Sequence, residues 1–127
     1  MLQASEKVAA RQFAEATALY GAIIAANSTH IDAYLQRAMV AREMGHSAQQ
    51  QSDALTVIKL ADATLANTAL PTKKAARYYH LRGSGYRLLN RFKEARADIE
   101  QALRLKNETS WRMDLQSIAL EERMTPR

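Results

Sequence analysis

The chain has no cysteine, and that absence removes a disulfide frame, a thiol nucleophile and a thiolate metal site together. Glycine and proline are scarce, four and two in 127 residues, and aromatic residues make up 6%. With few β-branched runs and no stretch that alternates like a strand, the composition favours an all-helical protein over a sheet. A long hydrophobic run is also missing. The longest nearly apolar stretch, Ala16 to Ala26, contains Thr17 and Gly21 and falls well short of the roughly 20 residues that span a bilayer, so the sequence predicts a soluble protein. The N-terminal Met-Leu-Gln-Ala-Ser-Glu-Lys lacks the basic segment and apolar core of a secretory signal, which points to the cytoplasm. Charge of one sign is not concentrated anywhere. The net charge is +5, but Lys and Arg are interleaved with Asp and Glu as on ordinary solvated helix faces, so acidic protein partners fit and nucleic acid is not expected. A chain of 127 residues is expected to form a single domain with a thin core.

What the chain does have is helical period. Between Ala76 and Asn107 two amphipathic halves divide at Asn90. In the first, Tyr79, Gly83 and Tyr86 share one face, and Gly83 lets another backbone approach. Asn90 tolerates a left-handed backbone and stands where that helix must stop. In the second, Phe92, Ala95, Ile99, Ala102 and Leu103 recur at three and four, with Lys93, Glu94, Arg96, Asp98 and Glu100 between them on what reads as the solvated side. Two antiparallel helices follow from this pattern.

An aromatic residue, then Gly83 and Tyr86, then Ala95 and Ile99 at these offsets resembles the tetratricopeptide repeat. Arg82 stands where Leu is commoner in that family and Asn107 where Pro is usual; neither change removes a small residue from the helix contact. The resemblance implies an all-α fold, a right-handed α-solenoid of antiparallel helix pairs. About two and a half repeats and a C-terminal capping helix are expected.

The same register recurs upstream. Phe13, Ala16 and Tyr20 match Phe92, Ala95 and Ile99, which predicts a second helix over Arg11 to Ala26, preceded by a short first helix over Gln3 to Ala10. The next first helix runs from Ile31 to Met44, with Tyr34, Ala38 and Ala41 in the register and Gly45 as its stop. Phe13 and Ser47 are 34 residues apart, the family's period, whereas Gly45 and Asn90 are 45 apart. One repeat therefore carries an insertion, in or after a helix predicted from Ser47 to Ala66, before a loop over Asn67 to Thr72. The expected boundaries are a truncated repeat over about 1–28, a repeat with an insertion over about 31–70, a third over about 76–107 and a cap over about 110–124. Within the cap Glu121 and Glu122 oppose the helix dipole, and Thr125-Pro126-Arg127 reads as a frayed end.

Catalytic chemistry is poorly represented. His30, His46 and His80 lack the paired spacing of a metal site, so no metal and no cofactor are expected. His80 and Ser84 lie one turn apart but have no orienting acid or oxyanion donors in view, and Gly83-Ser84-Gly85 is mid-helix with no preceding strand, so it is not a phosphate loop. Gly85 has no explanation at this level.

In the resembling family the inner faces of the first helices line a concave groove that cradles a peptide. By register that face is Leu35, Met39, Arg42, Arg77, His80, Ser84 and Arg87, joined by Trp111 and Ile118 of the cap. The Lys/Asn set with which similar chaperone-binding domains clamp a terminal carboxylate is not matched. The resemblance thus implies a non-enzymatic protein-interaction module for a peptide or partner segment, and the mixture of apolar and basic side chains suggests an acidic, amphipathic one. The alternative is a regulatory or self-assembling array, or a piece of a longer protein, using an N-terminal edge where the short first helix leaves Phe13 and Tyr20 less covered than Phe92 and Ile99.

Overall fold

A computed structural model describes residues 1–125. Seven helices, and no strand, are present among them: α1 (Leu2–Ala9), α2 (Phe13–Ala26), α3 (Ile31–Met44), α4 (Ser47–Leu65), α5 (Thr72–Leu88), α6 (Phe92–Leu105) and α7 (Thr109–Met124). The chain forms two compact units, Met1–Leu60 and Ala61–Arg127, with the division falling inside α4.

In the first unit α1 packs on α2 and α2 on α3. Their shared core is Ala4, Ala16, Tyr20, Ala33 and Val40, ringed by Val8, Phe13, Leu19 and Met44. Tyr20 is wholly buried, as Ile99 is, which corrects the expectation for that residue: two turns of α1 suffice to cover it, because Ala4 is small enough to let that helix sit close. Phe13 is half-buried and less covered than Phe92, as expected. Helix α2 begins at Phe13 and not at Arg11, since Arg11 takes a left-handed backbone at φ 58° and ends the turn after α1. Its guanidinium lies over the Phe13 ring at 5.1 Å. Gly45 closes α3 at φ 72°, with its N–H and that of His46 returning to the last carbonyls of the helix. His30 is the N-cap of α3, its ring nitrogen accepting from the Ala33 N–H at 3.2 Å.

In the second unit α5 packs on α6 and α6 on α7. Gly83 is buried against α6, where an added Cβ would stand 2.9 Å from Ile99 Cγ1 and 3.1 Å from the Ala95 carbonyl oxygen. Asn90 has the expected left-handed conformation, φ 58°. Phe92, Ala95, Ile99 and Ile118 form the core, with Tyr86, Leu103, Trp111 and Leu115 packed around them. Helix α4 is 19 residues long against 14 for α2 and α6, so the extra residues of its repeat lengthen the helix as well as the loop after it. The frayed end read over Pro126 and Arg127 lies outside the described residues. Thr125 is tied by its hydroxyl to the Glu121 carbonyl at 2.7 Å.

One feature of both units departs from the expected pattern. Asp98 is buried instead of solvated, and so is Asp53. Each is gripped by an arginine of the facing helix: Arg37 holds Asp53, and Arg82 holds Asp98, through two hydrogen bonds of 2.8 Å apiece. A planar guanidinium meets both carboxylate oxygens at once, and that pairing is what allows the charges to leave water.

Candidate binding face on α5 and α7

In the first unit Leu35 is buried, whereas Met39 and Arg42 are exposed one turn apart on α3. The other candidates lie on α5 and α7 in the second unit. Arg77 is exposed near the start of α5, its guanidinium 5.4 Å from the Tyr78 ring centre. His80 is half-buried; its Nε2 lies 2.8 Å from Asp114 Oδ2, and its ring stacks on Trp111 with centroids 4.9 Å apart and planes 15° from parallel. Arg87 donates from Nε to Glu121 Oε2 at 2.9 Å and from Nη2 to the same oxygen, and its Nη1 stands 3.7 Å from Asp114 Oδ1. Ile118 is fully buried in the core and presents nothing to a ligand.

Sequence register thus places His80, Arg87 and Trp111 together, but it did not reveal Asp114 and Glu121. Both acids stand 34 residues after the side chains they meet, His80 and Arg87. One repeat period separates α5 and α7, so equivalent positions of the two helices become neighbours. Complementary residue types at that spacing were the available signal. The same contacts correct the reading of the cap's end: Glu121 is held by Arg87, and Glu122 accepts from Arg96 Nη2 at 3.2 Å. Two ion pairs offset an unfavourable helix dipole.

Ser84 donates its hydroxyl to the His80 carbonyl at 2.9 Å, one turn back along the helix, so it is not activated by the His80 ring. No group of three His, Asp or Glu side chains that could hold a metal occurs among the described residues, and no helix among them is long and apolar enough to cross a membrane. What remains is a flat aromatic stack, Trp111 on His80, with Lys106 Nζ 5.9 Å from the Trp111 ring centre. Arg77 is one turn before His80 along α5.

Comparison with known proteins agrees with this architecture. Residues 76–109 match the family model described as tetratricopeptide repeat. No curated protein sequence matches the chain. Among solved structures, the first tetratricopeptide domain of Spaghetti (RPAP3) bound to the HSP90 peptide SRMEEVD is similar over 94% of this chain and 86% of that one, at 20% identity and a TM-score of 0.59. The first such domain of human RPAP3 is similar over 93% and 85%, at 20% identity and a TM-score of 0.61. The tetratricopeptide domain of Arabidopsis OM64 is similar over 91% and 87%, at 23% identity and a TM-score of 0.56.

Proposed function

We propose, for a chain that carries a tetratricopeptide repeat at residues 76–109 and has the all-α repeat fold of tetratricopeptide domains, that it is a non-enzymatic interaction module which binds a peptide or partner-protein segment. The half-exposed stack of Trp111 on His80 carries this reading, because it offers a rigid ring surface beside the exposed Arg77. A neighbour of the same fold is bound to an HSP90 peptide. The proposed ligand is an acidic, amphipathic segment. Arg77 and Arg87 make this face basic, Ser84 adds a polar contact and the rings an apolar one. On the first unit Met39 and Arg42 offer an adaptable apolar side chain and a cation, above the buried Leu35.

Trp111 is the sole tryptophan, so its emission reports ligand at the stack directly. Titration with an unstructured peptide of alternating Leu and Glu containing a central Pro should change that emission, more weakly as salt rises. The Gln version of the peptide should bind about tenfold less, as should the Glu version to Arg77→Glu. Identical titrations of the Glu and Gln peptides would contradict the acidic specificity, and an unresponsive Trp111 would contradict the site.

A second reading, self-association at the N-terminal edge, is favoured by one observation. Leu2 is 73% exposed, and Ala14, Ala18 and Ala22 line an exposed, uncharged face of α2. Light scattering over a concentration series tests it, with Ala18→Glu expected to abolish any dimer while leaving the Trp111 titration intact.

A further inference from the structure

Helix α7 packs on α5 and α6 along one face and leaves the opposite face open. Trp111, Leu115 and Ile118 pack into the core with α6. Asp114 and Glu121 hold His80 and Arg87 of α5, and Glu122 holds Arg96 of α6. On the remaining side Met113, Ser117, Leu120 and Met124 follow one another at four, three and four residues, so they form a single stripe. Met113 is 61% exposed, Leu120 56% and Met124 80%. A face meant only for water has no need of three large apolar side chains in register. The stripe runs about 16 Å at 1.5 Å per residue, close to three helical turns, which is the span over which one helix lies against another.

Charge decides what covers it. At about 100° per residue, Arg112 and Arg123 fall on the same flank of the stripe. Both are exposed, and neither has a carboxylate partner among the described residues. Every acid of α7 is within reach of an arginine of α5 or α6. The unneutralised charge bordering the stripe is therefore positive. A second copy fits badly, because a two-fold contact brings this rim either against itself or against the flank where α5 lies. An anionic bilayer is best met by cations on both flanks, and here one flank is covered by protein.

We propose that the Met113, Leu120 and Met124 face of α7 is a docking surface for an amphipathic helix of a partner protein, its apolar stripe bordered by acidic side chains. It is a separate surface from the Trp111–His80 stack. Methionine at two of the three apolar positions lets the surface repack against different side chains, so the acid rim and not one apolar shape selects the partner.

The test uses two fluorescein-labelled, helix-stabilised peptides with the same Leu stripe, one flanked by Glu and one by Lys, titrated against the whole chain by anisotropy. The Glu peptide should bind at least about tenfold more tightly than the Lys peptide, and less tightly as salt rises. Leu120→Glu and, separately, Met113→Ser should weaken it at least about fivefold without moving the thermal melt, since both side chains are exposed. Arg112→Glu with Arg123→Glu should make the Lys peptide the tighter ligand. Equal binding of the two peptides, binding of neither, or loss by Arg77→Glu with Leu120→Glu unaffected would overturn the proposal. So would Leu120-dependent dimerisation, or Leu120-dependent sedimentation with phosphatidylserine vesicles.

Discussion

Arg82 and Asp98 join α5 to α6 through two parallel hydrogen bonds of 2.8 Å, in a pair whose acid is almost completely removed from water. Arg37 and Asp53 repeat the arrangement between α3 and α4, with the same spacing of 16 residues in sequence. Hydrogen bonding to Asp98 and to Asp53 pushes both guanidinium groups further above their ordinary value. They remain cationic at any pH the fold survives, so neither acid is left buried without its counter-charge.

Breaking such a pair from one side strands a charge. Arg82→Ala and Arg37→Ala, which leave Asp98 and Asp53 buried without their partners, are each expected to cost about 3 kcal/mol, read as a fall in the urea midpoint. Glu15→Ala, which removes the exposed partner of Lys7, should cost less than about 1 kcal/mol. Equal shifts in all three would show that burial of the acids is not what gives the pairs their weight.

The glycines separate contact from propensity. Gly83→Ala should destabilise by about 1 to 3 kcal/mol despite the gain in helix propensity, because its Cβ meets Ile99 at 2.9 Å and the Ala95 carbonyl at 3.1 Å. Gly21→Ala should stabilise by about 0.5 to 1 kcal/mol, since the nearest atom to its Cβ is the far end of Arg37 at 3.7 Å. Thermal melts of the two variants are expected to move in opposite directions.

Helix ends and the Gly83 contact were legible in the sequence because each is a local demand. Gly45 and Asn90 tolerate the left-handed turn that stops a helix, and a residue without a side chain at Gly83 implies a close neighbour. Arg11 was not legible. An arginine carries no preference for φ 58°, and only its position 34 residues before Gly45 marks it as the equivalent stop. Asp53 and Asp98 were hidden for another reason: an acid in a polar or charged stretch of helix reads as solvated until its partner on the facing helix is known. The clue was the pair of Arg-to-Asp intervals, identical and displaced by the same 45 residues as the two stops. His80 and Trp111 were assigned to one face by register, while the acids Asp114 and Glu121 that complete it depend on how α7 lies against α5.

Arg87 should act as the latch for α7. Arg87→Glu sets like charges together with Asp114 and Glu121, so the melting temperature should fall and Trp111 emission should shift to the red as α7 loosens. Adding Glu121→Arg restores one opposite-charge pair and should recover part of both changes. Failure of the double variant to recover either would mean that Arg87 acts through packing alone.

Amide chemical-shift mapping of the labelled chain tests most directly whether the α5–α7 face binds peptide. With the unstructured acidic peptide added, perturbations should concentrate at Arg77, His80, Ser84 and Trp111, with the Trp111 indole N–H moving with them, and Met113, Leu120 and Met124 should stay where they were. Perturbations confined to α1 and α2, or none at saturating peptide, would contradict it.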